Sequence, residues 1–117
     1  MEGRGTGRVT VVGTGSWGTT LAILAAQQGQ KTYLLARTHE EAEQLKLDAE
    51  NRRFMPGFPF PSNLMPTADA HTALEACDML LMVVPSQTMR ANIRTLKPHL
   101  CDPKMIVVSA AKGLELG

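Results

Sequence analysis

Short apolar runs alternate along the chain with longer segments in which apolar residues recur at helical spacing. The runs predict four β-strands, over Arg8–Gly13, Lys31–Ala36, Asp78–Val84 and Met105–Ala110. The periodic segments predict helices over Ser16–Gln28, from Thr38 to about Glu50, over Ala70–Ala76 and over Pro85–Lys97. Strands that are apolar throughout and separated by helices are typical of a parallel sheet buried on both faces. The pattern therefore predicts an α/β fold with a doubly wound parallel sheet in a three-layer α/β/α arrangement.

Two of the predicted helices carry end signals. Gly29 stands where a glycine commonly follows the last helical turn. Thr38 and Glu41 fit a capping box, in which Thr38 caps the second helix and Glu41 reaches back. The segment Asn51–Pro66, which follows that helix, is predicted to be a stiff loop. It contains Pro56, Gly57, Pro59, Pro61 and Pro66.

A glycine motif joins the first predicted strand to the first predicted helix. Residues 13–18 read Gly-Thr-Gly-Ser-Trp-Gly, which matches G-x-G-x-x-G. In this context Gly13 permits a tight turn, Gly15 lets the backbone approach a pyrophosphate, and Gly18 lets the helix pack close to the strand. The motif predicts a Rossmann-type dinucleotide site with phosphates at the helix N-terminus, the alternative being a tight turn without a ligand. Trp17 either walls the cofactor channel or packs under the loop.

The end of the second predicted strand bears on the choice of cofactor. NAD-dependent Rossmann domains usually have Asp or Glu there, bonded to the ribose 2′-hydroxyl. Here the positions hold Ala36, Arg37 and Thr38, and the next carboxylate, Glu40, lies inside the predicted helix. An arginine pairs well with the 2′-phosphate that distinguishes NADP from NAD, so NADP is compatible with this strand end. The sequence therefore predicts NADP or NAD as cofactor. The alternative is that Arg37 is a solvated residue at a strand end.

Composition narrows the class of protein. The chain has 12 Lys+Arg and 11 Asp+Glu, a net charge of +1, which argues against a nucleic-acid partner. Its longest apolar run, Met79–Pro85, is far shorter than the ~20 residues that cross a bilayer, so no membrane insertion is expected. The histidines share no spacing suited to a metal ion, and no metal site is predicted. We expect a cytoplasmic domain.

Four motifs in order resemble the bacterial-type NAD(P)-dependent glycerol-3-phosphate dehydrogenases over essentially the whole chain. They are the glycine motif, Asn51-Arg-Arg-Phe-Met-Pro-Gly57 followed by Pro59-Phe-Pro61, Val84-Pro85-Ser86, and Ser109-Ala-Ala-Lys112-Gly113-Leu-Glu115. The chain departs from the family pattern at Thr14, where alanine is more usual, and at Met55, where leucine is. The resemblance implies that residues 1–117 form the family's N-terminal dinucleotide-binding domain.

Site residues follow from the resemblance position by position. It implies that Ser16 and Trp17 line the cofactor site beside Gly13, Gly15 and Gly18. It implies that Arg37 and Thr38 hold the adenosine end, that Phe54 lies beside the cofactor, and that Val84 and Pro85 pass near the nicotinamide ribose. Lys112 is expected to contact both cofactor and substrate, with Gly113 on the substrate side.

The implied activity is reduction of dihydroxyacetone phosphate by NAD(P)H to sn-glycerol 3-phosphate for phospholipid synthesis. A homodimer is one expected assembly, because the apolar face that meets the family's second domain would be exposed in this chain. In the family the catalytic lysine lies in a C-terminal helical domain, which would follow Gly117 here. No catalytic residue is therefore expected within residues 1–117. Two alternatives remain at this point. One is a non-catalytic dinucleotide-binding module, and the other is a different two-domain NAD(P) reductase with the same glycine loop.

Overall fold

The elements of the fold alternate as the sequence pattern predicts. A computed structural model of the chain describes residues 7–75, 77–99 and 105–109. The first half contains β1 Arg8–Val12, α1 Ser16–Gln27, β2 Lys31–Leu35, α2 His39–Asp48, β3 Glu50–Asn51 and β4 Met55–Pro59. The second half contains β5 Leu64–Thr67, α3 Ala70–Leu74, β6 Met79–Met82, α4 Ser86–Leu96, a 3-10 helix Lys97–His99, and β7 Ile106–Ser109.

Five of the strands form one parallel sheet in the order β5-β2-β1-β6-β7. The central strand β1 pairs Val11 with Leu34 of β2 on one side and with Leu81 of β6 on the other. The chain therefore builds the sheet outwards from β1 in both directions, and the order reverses between β1 and β6. In sheets of this kind the carboxyl ends of the strands at such a reversal form a crevice. The predicted doubly wound parallel sheet is confirmed.

Helices cover both faces of the sheet. Because successive strand residues point to opposite faces, Val11 and Val12 belong to two different clusters of buried side chains. The first cluster joins Val11 to α1 and α2 through residues such as Ile23 and Leu45. The second joins Val12 to α3 and α4 through residues such as Leu74 and Leu96. Two helical layers thus hold the sheet in a fixed position under the loops at its carboxyl edge.

The prediction that Asn51–Pro66 is a loop is wrong. Its first part forms an antiparallel pair, β3 with β4, and its last part includes most of β5, which pairs with β2 at the edge of the parallel sheet. Pro66 lies within β5 opposite Leu34. A proline is tolerated there because an edge strand forms hydrogen bonds to a neighbouring strand on one side only. The N–H that proline lacks is therefore not needed for pairing on the open side.

Helix ends differ slightly from those predicted. Gly29 follows α1 with a φ of 93°, and its N–H donates to Ala26 O at 3.0 Å, as its expected position requires. Helix α2 ends at Asp48, before the predicted Glu50, because Ala49 adopts a left-handed conformation with a φ of 54°. Helix α3 ends at Leu74, and the predicted end at Ala76 lies outside the described residues.

Candidate functional site

An open pocket of about 540 Å³ lies at the carboxyl ends of β1, β2 and β6. Six of the site residues predicted from the sequence line it together. They are Gly13, Gly15, Arg37, Phe54, Val84 and Pro85. These residues come from three connections and the β3–β4 segment, so the sheet brings together positions that span more than half of the chain. The location is the crevice at which the strand order reverses, where α/β sheets commonly bind ligands.

The glycine loop is shaped by close backbone packing. Gly13 has a φ of 129°, and a Cβ at this position would overlap the carbonyl oxygen of Val83. A Cβ on Gly18 would overlap the carbonyl oxygen of Gly13, so the first turn of α1 packs against the loop itself rather than against the strand. Neither position accepts a larger residue without a shift of the backbone. The loop is therefore held tightly under the pocket.

The N-terminus of α1 is open towards anions. Gly15 is the N-cap residue and has no side chain with which to cap the helix, and the first turn contains no acidic residue. Its carbonyl accepts from Thr19 N at 3.0 Å, which leaves the N–H groups of Ser16 to Gly18 without an intrahelical acceptor. Such N–H groups, together with the helix dipole, favour phosphate. Trp17 follows with 44% of its surface exposed and is not among the residues that line the pocket, so both interpretations of this side chain stay predictions.

At the end of β2, Arg37 is exposed and lies where this pocket meets a second one, between α2 and the β3–β4 segment. Thr38 caps α2 as predicted, since its Oγ1 accepts from Glu41 N at 3.1 Å. Thr38 itself lines the second pocket. The guanidinium of Arg37 and the cap of α2 therefore occupy adjacent positions on the rim.

Glu41 departs from the predicted capping box. Its Oε1 accepts from the backbone N–H of Arg37 at 3.1 Å, and its Oε2 accepts from the Thr14 hydroxyl at 2.8 Å. The side chain thus reaches one residue further back than expected and also crosses to the glycine loop. A carboxylate therefore does lie at the end of β2, although positions 36–38 hold none, because a helical glutamate can extend backwards over the helix N-terminus.

A buried amide, Asn51, joins the glycine loop to the β3–β4 segment. Only 3% of Asn51 is exposed, and its Nδ2 donates to Thr14 O and to Thr19 Oγ1, both at 2.8 Å. Its Oδ1 accepts from Phe54 N at 3.2 Å. In the sequence, Asn51 stands out only as the first residue of a motif. Its spacing of three residues from Phe54 was the one signal of a local side-chain contact.

Phe54 is held at the mouth of the pocket by this bond. Phe54 is 42% exposed, and the guanidinium carbon of Arg53 lies 5.0 Å from its ring centroid. That distance is within the range of a cation–π contact. The aromatic ring therefore presents a large apolar surface to the pocket while one face stays close to a cation.

The connection after β6 completes the pocket. Val83 N donates to Val12 O at 2.8 Å, which continues the sheet pairing up to the loop, and Pro85 forms the N-cap of α4. Thr88 bonds back to the carbonyl of Pro85 through both its N–H, at 2.9 Å, and its hydroxyl, at 3.0 Å. Helix α4 also lines the pocket with Asn92 and Thr95. These polar residues were not predicted as site residues, because their helical spacing resembles that of any solvated helix face.

The predicted contacts at the C-terminal end of the chain are not tested by the structure. Lys112 and Gly113 lie outside the described residues, and so does Gly117, beyond which the resemblance places the family's catalytic lysine. The expectation that residues 1–117 hold no catalytic residue therefore stays a prediction.

Within residues 7–75, 77–99 and 105–109, no three His, Cys, Asp or Glu side chains are grouped so that they could hold a metal ion. No helix in the same ranges is long and apolar enough to span a membrane.

A parallel sheet whose central strand ends in a G-x-G-x-x-G turn, with an open helix N-terminus beyond it, defines a Rossmann-type domain. Comparison with known families agrees with this class and narrows it. Residues 8–117 match the family described as NAD-dependent glycerol-3-phosphate dehydrogenase N-terminus, and the chain belongs to that family.

Individual relatives are similar over nearly the whole chain. A protein of Streptomyces griseus named glycerol-3-phosphate dehydrogenase (NAD(P)+) is 42% identical over 110 residues, which are 94% of this chain and 32% of that protein. One of the same name from Dehalococcoides mccartyi is 44% identical over 111 residues, 94% of this chain and 31% of that protein. The chain thus spans about a third of the length of these relatives.

Solved structures lead to the same class. The crystal structure of glycerol-3-phosphate dehydrogenase from Coxiella burnetii superposes with a TM-score of 0.86 at 33% identity, covering 93% of this chain and 33% of that one. The enzyme of the same name from Saccharomyces cerevisiae superposes with a TM-score of 0.81 at 26% identity, covering 92% of this chain and 34% of that one.

Proposed function

We propose that this chain is the dinucleotide-binding part of an NAD(P)-dependent glycerol-3-phosphate dehydrogenase. The complete protein would reversibly reduce dihydroxyacetone phosphate to sn-glycerol 3-phosphate, a precursor for phospholipid synthesis. The observation that carries the proposal is the pocket at the carboxyl edge of the sheet, where the glycine loop, Arg37, Phe54 and the β6–α4 connection meet. Membership of the family supports the reaction, since the relatives are named for it.

Each part of the pocket suits one part of a dinucleotide. The N–H groups of Ser16, Trp17 and Gly18 suit the pyrophosphate, which the dipole of α1 also favours. Arg37 and Thr38 at the end of β2 suit the adenosine end. Val84, Pro85 and Phe54 provide apolar surface for the nicotinamide end, and a bound nicotinamide supplies the hydride that the reaction needs.

The substrate end of the site is assigned to Lys112 and Gly113. A lysine ammonium can balance the charge of a phosphorylated substrate or bond to the ketone oxygen as negative charge develops on it. These two residues follow β7, whose neighbour in the sheet is β6. Strand β6 is parallel to β7, and the residues directly after β6 line the pocket.

Titration of the chain with NADH and NADPH tests the binding site. Heat release and Trp17 emission provide two independent signals, and both are expected to saturate. The decisive variant is Gly15→Val. The backbone of Gly15 is extended, with a φ of −74°, and an added Cβ meets no described atom within 4 Å, so the fold should tolerate the change. A valine side chain would nevertheless occupy the space through which a pyrophosphate approaches α1.

We expect Gly15→Val to weaken the binding of both cofactors ~10-fold or more, which corresponds to about 1.4 kcal/mol of binding free energy. The melting temperature of the chain should stay unchanged. Equal affinity in the variant and the wild type would contradict the proposed placement of the phosphates. The reaction is tested on the complete protein by following NADPH absorbance when dihydroxyacetone phosphate is added. Binding of cofactor without any turnover of that substrate would leave the non-catalytic module as the better description.

A further inference from the structure

The carboxylate of Glu41 bridges the two strand ends on which the adenosine half of the proposed site is built. From the first turn of α2 it accepts from Arg37 N, at 3.1 Å, directly after β2. It also accepts from the Thr14 hydroxyl, at 2.8 Å, in the loop after β1. Thr14 is only 7% exposed, whereas Glu41 is partly exposed. The carboxylate is therefore fixed at two points, and Glu41 lines the second pocket, which shares Arg37 with the pocket at the glycine loop.

The bonding capacity of this carboxylate is only partly used by these two contacts. Each oxygen of a carboxylate has two lone pairs, and each oxygen of Glu41 receives one of the two donors. A second donor can bond to either oxygen without displacing the first. Ribose hydroxyls are donors of this kind, whereas a phosphate at the same place would bring like charges together.

Arg37 has the opposite preference on the same rim. Its backbone N–H holds Glu41, while its guanidinium favours a phosphate. The guanidinium of Arg37 thus favours a 2′-phosphate, and the carboxylate of Glu41 favours a ribose 2′-hydroxyl. The two groups are linked by the hydrogen bond from Arg37 N to Glu41.

We propose that Glu41 is a specificity-determining residue of the dinucleotide site, favouring NADH over NADPH and opposing Arg37. The inference rests on the proposed function, because it presupposes that the adenosine end of a dinucleotide lies at this rim. Thr14 is the positioning residue, since its hydroxyl holds Oε2 of Glu41 towards the glycine loop.

The test measures the dissociation constants of NADH and NADPH for the 117-residue chain by calorimetry and compares their ratio between variants. Glu41→Gln removes the charge and keeps one acceptor oxygen. Glu40→Gln is the matched control, because Glu40 is exposed, lies next to Glu41 on the same helix and loses the same charge. Thr14→Val removes the positioning hydroxyl without any change of charge, and it remains informative if Glu41→Gln does not fold.

We expect Glu41→Gln to lower the ratio of the NADPH to the NADH dissociation constant about tenfold. Thr14→Val should lower it less, and Glu40→Gln should leave it unchanged. The shift should shrink at high salt, because screening weakens repulsion between partly exposed charges. An unchanged ratio in Glu41→Gln, or an equal shift in Glu40→Gln, would overturn the inference and leave the proposed function standing. A wild-type chain that binds neither cofactor would overturn both.

Discussion

The buried amide of Asn51 connects segments that lie far apart in sequence. Its two donated bonds, to Thr14 O and Thr19 Oγ1, fix the glycine loop and the first turns of α1. The bond it accepts from Phe54 N fixes the backbone that carries the aromatic ring. A buried amide with these three partners stabilises the fold only while all of them are present, because an unpaired buried polar group is costly.

We expect Asn51→Ala to lower the free energy of unfolding by about 2 kcal/mol, since Phe54 N loses its side-chain acceptor and Thr14 O keeps only the 3.5 Å bond from the Thr19 hydroxyl. Cofactor affinity should fall about tenfold as Phe54 and the loop lose their common support. Urea denaturation measures the first effect, and calorimetric titration of the folded variant measures the second.

Asn63 provides the matched control. Its Nδ2 donates to Ala26 O and Gln30 O, both at 2.8 Å, at the end of α1 that is remote from the glycine loop. Asn63→Ala should therefore lower stability by a similar amount while leaving cofactor affinity unchanged. If both variants lose affinity in proportion to their lost stability, Asn51 has no special connection to the site.

The local sequence predicted the glycine loop and the cap of α2 but could not predict the long-range contacts of Glu41 and Asn51. Gly18 and Thr38 act through contacts with near neighbours in sequence, so their spacing was informative, whereas the close contact of Gly13 is with the distant Val83. Glu41 reaches a hydroxyl 27 residues away, and Asn51 reaches a carbonyl 37 residues away. Such pairs depend on how the sheet brings distant loops together, and one sequence without its fold carries no signal for them.

Among the elements, the four continuously apolar strands were predictable and β5 was not. Its residues alternate between buried and exposed, with Leu64 at 5% and Met65 at 45% exposure, as expected of a strand with one covered face. Pro66 made the segment resemble a loop. Only the edge position beside β2 makes this proline compatible with a strand, and that position is a property of the assembled sheet.

The contribution of the α2 N-cap to the free energy of unfolding can be measured separately. Thr38 Oγ1 accepts from Glu41 N, one of the N–H groups that the first turn leaves unpaired. Thr38→Ala should lower the free energy of unfolding by about 1 kcal/mol, the usual cost of losing such a cap. Thr38→Ser retains the hydroxyl and should cost much less, which urea denaturation can resolve. Equal destabilisation by the two changes would show that the hydroxyl is not what holds the helix end.

At the scale of the whole molecule, the two outer strands of the parallel sheet, β5 and β7, differ in character. The β5 side ends in a short strand with a proline, which blunts an edge against further pairing. The β7 side ends in an apolar strand with Ile106, Val107 and Val108 exposed at 56%, 51% and 38%. Within residues 7–75, 77–99 and 105–109, the only strand paired with β7 is β6. An exposed apolar strand at a sheet edge favours association with another chain.

We therefore expect the 117-residue chain to self-associate through β7, which is consistent with the homodimer that the sequence analysis left as an expectation. Size-exclusion chromatography with light scattering should show a mass that rises with concentration. Val107→Lys should suppress the rise, because a charge on an edge strand opposes strand addition. Leu47→Lys is the control, since Leu47 is an exposed apolar residue on α2, at 81%, away from the edge. A monomer at every concentration, or equal suppression by both lysines, would show that β7 is not the associating surface.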